Sequence, residues 1–408
     1  MRHPIVVGLQ YGDEGKGKIT DSLARQADYV IRYNGGNNAG HTLWLGGKKL
    51  VTHSVPSGVL SSHAVNFIGA GCVLDPVAFQ IELNDLIEGG VDLGPQRLKI
   101  DFRTQLVFPI HRDLDKAKED TAADKGAEIG TTLRGIGPTY STKMDRIGIR
   151  AGDISSDDIN TKLEKLVNHG NFILKGLGLP ESSLEENKKV LALAQSLLTK
   201  HISTEFAPFY EAIKTKKCVL EGAQGILLDL DHGSYPYVTS SNTLGAFAAV
   251  GTPFPLRGLG PVIGVAKAYL TRVGRGPFPT ELNNDDGERI RKNGGEFGAT
   301  TGRPRRTGWL NLDELKRAVQ VSDITSIVLT KSDILNGEKE VCALFEGELK
   351  KFPGWETMVE GEKLTENFEN YVSFIEKATG VSICAIGTGP DRADLYWRDK
   401  DFEFWPEN

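Results

Sequence analysis

Short runs of consecutive apolar residues, rather than alternating ones, mark the strands of this chain. Ile5-Val6-Val7 is the first, and its lack of alternation predicts a parallel strand buried on both faces. A glycine-rich turn from Gly8 to Gly17 follows, then a helical stretch from Ile19 to Ala27, then a second strand over 28–33. Strand, loop, helix and strand within about thirty residues make a βαβ unit. Further strands are expected at Val65–Ile68, Cys218–Leu220, Val262–Val265, Ser326–Leu329 and Val381–Ile386, most of them leading into a turn that bears Gly or Asp. The segment Ser155 to Thr215 reads as mostly helical, and Leu312 to Val321 as an amphipathic helix feeding the Ser326 strand. Alternating β and α elements predict the α/β class: a large, mainly parallel central sheet with helices on both faces. No internal repeat, low-complexity tract or linker interrupts 1–408, so a single composite domain is expected.

The turns carry the candidate chemistry. Gly12-Asp13-Glu14-Gly15-Lys16-Gly17-Lys18 has the G-x-x-x-x-G-K spacing of a phosphate-binding loop, placed between a strand and a helix. Backbone N–H groups freed by glycine and a helix N-terminus together attract phosphate, and the sheet is therefore expected to be of the P-loop NTPase-like kind with helical insertions. A Walker A loop would end in Ser or Thr to hold Mg²⁺, whereas Ile19 stands there. Asp13 is the natural alternative ligand, since Mg²⁺ prefers hard oxygen donors, or else a proton-abstracting group. A plain Gly/Lys-rich surface turn is the competing reading. The loop 34–41 also follows a strand. Its His41 stands among Gly and Asn, off any apolar face, and an imidazole there could donate to a phosphate oxygen as charge develops.

Thr330-Lys331-Ser332-Asp333 follows a third strand and has the T/N-K-x-D form of GTP-binding proteins. A buried carboxylate accepts from guanine N1–H and N2–H; adenine offers neither donor, so ATP would leave it unpaired. Gly298–Trp309 places Arg303, Arg305 and Arg306 among glycines and threonines, and guanidinium forks bind carboxylate or phosphate bidentately. Three further segments are candidates: 130–138 with Arg146 nearby, 221–225 with Gln224, whose amide suits a purine edge, and 237–243. Each alone reads as an ordinary turn.

Composition narrows the class. The 408 residues are 39% hydrophobic and 25% charged with 47 glycines, as in globular proteins. A net charge of −6 argues against a general nucleic-acid or anionic-membrane binder. The four cysteines (Cys72, Cys218, Cys342, Cys384) are far apart with no CxxC spacing, and read as buried thiols. No apolar run reaches the roughly 18–20 residues of a membrane span, and no signal-peptide pattern opens the chain. A cytoplasmic enzyme is expected.

Taken together, these segments closely resemble the adenylosuccinate synthetase family. GDEGKGK (12–18), NAGHT (38–42), EGAQG (221–225), YPYVTSSNT (235–243), GPFPTEL (276–282) and GATTGR (298–303) carry the resemblance, which runs from Gly8 to about Leu335 and resumes over 387–392. It implies GTP-dependent ligation of L-aspartate to IMP through a 6-phosphoryl intermediate, giving adenylosuccinate, GDP and phosphate, the first committed step from IMP to AMP. It also implies the roles. Asp13 would be the base and, with the Gly40 carbonyl, a Mg²⁺ ligand; His41 would stabilise charge on the phosphates, with Lys16 and Gln224 also catalytic. GTP would be held by Gly12, Asp13, Glu14, Gly15, Lys16, Gly17, Lys18, Gly40, His41, Thr42, Arg305, Lys331, Ser332, Asp333, Gly387, Thr388 and Gly389. Asp13, Asn38, Thr132, Arg146, Gln224, Thr239 and Arg303 would hold IMP, and Ala299, Thr300, Thr301, Gly302, Arg303 and Arg305 aspartate. By the same resemblance the protein would be a homodimer in which Arg146 reaches the partner's IMP. Residues of about 100–215 would form a mostly helical subdomain, about 255–310 the substrate loops, and about 325–408 the guanine-binding part.

The chain departs from the family at Tyr11 (commonly Trp), Asn34 (Gln), Asn37 (His), Pro304 (Arg) and Gly387 (Ser), and is short between about Gly337 and Phe352. Three of these flank the site, so a relative that uses dGMP is the nearest alternative; retention of Asp13, typically changed in those relatives, favours IMP. A regulatory GTPase would account for the phosphate loop and TKSD but not for Asp13, Ile19 or the arginine loop. A non-catalytic relative would not need Asp13, Lys16, His41 and Gln224 together.

Overall fold

Ten strands form one sheet. In chain order they are β1 (His3–Gly8), β2 (Tyr29–Arg32), β3 (Val65–Ile68), β4 (Leu98–Asp101), β5 (Ile202–Ser203), β6 (Cys218–Glu221), β7 (Leu259–Lys267), β8 (Ser326–Thr330), β9 (Ile383–Gly387) and β10 (Leu395–Trp397). The spatial order is β10-β9-β8-β7-β1-β6-β2-β3-β4-β5, and only the edge strand β10 runs antiparallel. The computed structural model describes residues 1–407 apart from 46, 125, 127, 204–209, 212, 213, 299–301 and 303.

The unbroken apolar runs are explained by burial on both faces. Along β1, Ile5 and Val7 enter one core cluster and Val6 another, because successive side chains point to opposite sides of a strand. One face packs against helix α1 (Lys16–Ala24) through Ile19 and Leu23, each contributing about 1.5–3 kcal/mol by burial. The other face packs against the helices Leu312–Val321 and Glu366–Thr379. A second large core joins β3 and β4 to the helices Pro76–Glu88, Pro109–Ala123, Ile159–Gly176 and Leu184–Leu198. No helix among the described residues is long and apolar enough to cross a membrane.

Two boundaries differ from the sequence expectation. The helix after the phosphate loop starts at Lys16, not Ile19, because Gly15 at φ 87° turns the chain directly into it. His41 does not close a loop but opens the strand His41–Leu45, which pairs with Lys48–Thr52 as a hairpin. The stretch from Ser155 is mostly helical, as expected, with the helices Ile159–Gly176 and Leu184–Leu198 separated by a turn at 177–183; part of its end lies outside the described residues. A separate four-stranded sheet, Tyr269–Arg272, Arg306–Asn311, Glu340–Phe345 and Glu348–Pro353, was not foreseen. Its second strand pairs antiparallel with Tyr269–Arg272, the strand that follows β7, with Arg306 opposite Arg272 and Arg305 just ahead of it.

Candidate active site

Five loops leave the carboxyl ends of parallel strands β1, β2, β6, β8 and β9, where open α/β sheets gather their ligands. They line a cavity of about 750 Å³. Gly12, Asp13, Glu14, Gly15, Lys16, Gly17, Lys18, Asn38, Gly40, His41, Thr42, Thr132, Gln224, Thr239, Arg305, Lys331, Asp333, Gly387 and Gly389 all reach it. Ser332 and Thr388 stand behind its wall, Gly302 lies outside it, and Arg146 is on the surface away from it. Ala299, Thr300, Thr301 and Arg303 lie outside the described residues. A larger groove of about 1180 Å³ beside α1, near Trp397 and Phe404, holds none of the candidates, so volume alone does not identify the site.

The phosphate loop is tied down from inside. Glu14 turns its carboxylate under the loop, accepting from Gln10 N–H (3.0 Å), Gly12 N–H (2.9 Å) and Lys16 Nζ (2.5 Å). A Cβ at Gly8 would stand 2.3 Å from that carboxylate, so glycine is required there by close approach. Thr330 Oγ1 donates to the Glu14 carbonyl at 2.6 Å, locking the loop to the end of β8. Ile19 is buried against the sheet, which is why no hydroxyl at the Walker position could face a nucleotide. Lys18 donates to the carbonyls of Gly389 and Asp394, both at 2.7 Å, and so fastens the loop after β9. Burial pulls it down to about 8, against the pull of Asp394, Asp333 and Asp391.

Asp13 projects into the cavity from a left-handed backbone at φ 60°. Among the described residues seven non-glycine positions have positive φ, and four of them are candidate site residues: Asp13, Arg146, Gln224 and Lys331. Sparsely populated backbone conformations collect where surrounding structure and function over-determine them. Arg305 Nε lies 2.9 Å from Asp13 Oδ2, an ion pair in which the N–H is not aimed at the oxygen, as that nitrogen has no hydrogen bond. Arg305 Nη1 is held instead by Glu296 Oε2 at 2.6 Å.

His41 is clamped by two buried groups, Glu221 from the candidate segment 221–225 and Ser57, which the sequence did not mark. Its Nδ1 is 2.5 Å from Glu221 Oε1 and 3.1 Å from Ser57 Oγ, while Glu221 also accepts from Ser57 N–H at 2.8 Å. A carboxylate only accepts, so the ring proton sits on Nδ1 and Nε2 is left for a ligand. Burial lowers the imidazole's affinity for a second proton, partly offset by Glu221; Glu221 stays ionised because His41, Arg32 and Ser57 outweigh its burial.

Gln224 donates from Nε2 to Asn38 Oδ1 at 3.1 Å, and its buried Oε1, beside Gly35, has no partner among the described residues. Asp333 forms no ion pair among the described residues, and burial raises its pKa despite Lys18 and Lys331. Beneath the site, Glu296, Lys267 and Tyr269 are all buried and were not foreseen. The available signal was a lysine ending an apolar strand, Val265-Ala266-Lys267.

The family departures resolve simply. Tyr11 lines the cavity but sends its hydroxyl to Glu314 (2.9 Å), with Arg272 over its ring at 4.3 Å. Asn34 is consumed by backbone, accepting from Ala223 N–H (2.8 Å) and donating to the Asn242 carbonyl (3.0 Å). A Cβ at Gly387 would meet Thr330 no closer than 3.4 Å, so glycine there is not a steric necessity.

A family model described as adenylosuccinate synthetase matches residues 5–346 and 340–396. The chain is 43% identical to the adenylosuccinate synthetase of Halothermothrix orenii, over 98% of this chain and 100% of that one. It is 41% identical to that of Lawsonia intracellularis, with the same coverage. The solved structure of fully ligated adenylosuccinate synthetase from Plasmodium falciparum superposes with a TM-score of 0.91 at 35% identity, covering 98% of this chain and 100% of that one. A cyanophage S-2L succinoaminodeoxyadenylate synthetase bound to dGMP and dATP shares the fold at TM-score 0.65 and 18% identity.

Proposed function

Because the chain belongs to the adenylosuccinate synthetase family, and so ligates L-aspartate to IMP at the expense of GTP, we propose how its residues divide that work. The 6-oxo group of IMP is a poor leaving group, so amination requires that it first become a phosphate ester. Asp13 takes the N1 proton of IMP. The resulting O6 attacks the γ-phosphate of GTP, giving 6-phosphoryl-IMP and GDP. The amine of aspartate then displaces phosphate at C6.

The observation that carries this reading is the meeting of Asp13, His41 and Gln224 with Lys331 and Asp333 in one cavity. Gln224, whose amide donates to Asn38, lines the cavity together with Asn38 and Thr239, where an amide suits a purine edge. His41, steadied by Glu221, presents Nε2 to the phosphates; when the ring takes a second proton there, which Glu221 favours, its Nε2–H donates a hydrogen bond that strengthens as charge builds on the β–γ bridge. Lys16, freed from Glu14, and the backbone of 12–18 hold the polyphosphate, a positioning and electrostatic task. Asp333 accepts from guanine and Lys331 covers it. The arginine loop, with Arg305, receives the carboxylates of aspartate.

The donor set also fits Mg²⁺. No three His, Cys, Asp or Glu side chains converge among the described residues, so the chain offers one carboxylate, Asp13, and the Gly40 carbonyl. That is what Mg²⁺ needs when phosphates and water complete its shell. Bound there, it would neutralise charge on the transferring phosphoryl group.

Arg146 supports a homodimer in which it reaches the partner's IMP phosphate. It is exposed and carries φ 62°, and its guanidinium has no hydrogen bond or ion pair among the described residues. Met144, two residues before it, is an apolar side chain 73% exposed.

An absorbance assay with GTP, Mg²⁺, IMP and aspartate, each omitted in turn, tests the assignment. Product should require all four, and Asp13→Ala should abolish turnover without changing the melting temperature. Near-native activity in that variant would remove Asp13 as the base.

A further inference from the structure

We propose that Glu296 is a positioning residue that couples guanine binding to the placement of Arg305 beside Asp13. The proposal rests on the site roles above and extends them to a group that does not touch substrate.

Glu296 is fully buried, and its two oxygens face different parts of the site. Oε1 accepts from Lys331 Nζ (2.8 Å) and Tyr269 Oη (2.6 Å), with Lys267 Nζ at 3.4 Å. Oε2 accepts from Arg305 Nη1 at 2.6 Å, and Arg305 Nε stands 2.9 Å from Asp13. The line Lys331–Glu296–Arg305–Asp13 therefore runs from the guanine end of the cavity to the reacting end through one carboxylate.

Main-chain bonds keep that carboxylate in place. The Glu296 carbonyl accepts from Arg305 N–H at 3.0 Å, and its own N–H donates to the Arg291 carbonyl at 2.9 Å. Phe297 and Pro304 bridge just beyond, so Glu296 sits at the neck of the arginine loop. Burial alone would raise its pKa, but Lys267, Lys331 and Arg305 hold it well below the carboxylate range, so it is ionised.

The arrangement is two-sided. Three cations, Lys267, Lys331 and Arg305, share two carboxylates, Glu296 and Asp13. Guanine over Lys331 orders that lysine, and with Tyr269 it pins Glu296 Oε1 from one side, so that Oε2 is held in line for Arg305. Arg305 is thereby fixed for the aspartate carboxylate before aspartate arrives. A residue that merely stiffened the loop would not link a change at Lys331 to the affinity for aspartate.

A double-mutant cycle tests the link. Lys331→Met should raise the KM for GTP and, through Glu296, the KM for aspartate by about tenfold, within the usual range of coupling between linked sites. In a Glu296→Gln background, where the aspartate KM is already raised, Lys331→Met should still raise the GTP KM but leave that for aspartate unchanged. Independent multiplication of the two effects on the aspartate KM would overturn the proposal, as would an aspartate KM within twofold of wild type in Glu296→Gln. If Glu296→Gln does not fold, Tyr269→Phe removes a single hydrogen bond and no charge. It should raise the aspartate KM roughly threefold, in keeping with one modest hydrogen bond, with kcat little changed; no rise would overturn the proposal. Wild-type protein that formed no adenylosuccinate would defeat the family reading instead.

Discussion

Replacing Glu221 by glutamine isolates what the His41 clamp contributes. The carboxylate and the imidazole are almost wholly buried and 2.5 Å apart, so their hydrogen bond is charge-assisted and little screened. Hydrogen bonds to charged groups are worth about 1.5–3 kcal/mol and neutral ones about 0.5–1.5 kcal/mol, a difference of about 1–2 kcal/mol. If that support is needed only as charge develops on the phosphates, it appears in the barrier, and kcat falls about 5- to 30-fold. The amide also has a structural cost. With its oxygen toward His41, its NH₂ faces the Ser57 N–H that now donates to Oε2 at 2.8 Å, leaving donor against donor at about 1–3 kcal/mol of stability. Steady-state kinetics well below the melting temperature separate the two effects, with the KM values for IMP and aspartate unchanged. A variant with lowered melting temperature but kcat within twofold of wild type would refute the argument, because Glu221 would then hold the fold without acting through His41.

Asp333→Asn should narrow the preference for GTP over ATP, since an amide no longer presents two acceptor sites to guanine; competition assays with the two nucleotides read this, and an unchanged ratio counts against Asp333 as the base reader. Arg146→Ala should be inactive alone, as should Asp13→Ala, yet mixing the two should restore activity if one intact site in a mixed dimer takes its arginine from the other subunit. No recovery after verified subunit exchange would mean that Arg146 serves its own chain. His111 supplies a stability test: its Nδ1 accepts from Phe108 N–H at 3.0 Å and its ring stands 3.1 Å from Thr142 Oγ1, and burial pushes it down from the ordinary 6.5 to about 3. A depressed folded-state pKa gives stability that is complete above 6.5 and lost as pH falls from there toward 3. Unfolding curves between those limits should therefore be shallower for His111→Gln by up to about 1.4 kcal/mol per pH unit, and an equal slope would contradict a buried neutral ring.

The parallel sheet was legible because its strands are buried on both faces and read as uninterrupted apolar runs; β3 occupies the foreseen residues and β8 extends them by one. The glycine-rich loops were legible because phosphate binding constrains backbone over a few adjacent positions. The hairpin of His41–Leu45 with Lys48–Thr52 was not, since its glycine turn and mixed polarity resemble a loop. Nor were the partnerships below the site. Glu221 lies 180 positions from His41 and Glu296 lies 35 from Lys331, and nothing local in either segment announces a contact that only the closed sheet creates. Lys267 and Glu296 could be flagged as charges in apolar or glycine-rich surroundings, but their pairing with each other and with Arg305 is a tertiary fact.

The central claim is that Asp13 turns the purine oxygen into a nucleophile toward GTP, and the fate of that oxygen decides it. IMP labelled with oxygen-18 at C6 should, after one turnover with GTP, Mg²⁺ and aspartate, pass its label into the released inorganic phosphate. Label recovered in water, with phosphate carrying only solvent oxygen, would mean that phosphate never bonded to O6, and the account would fail at its first step.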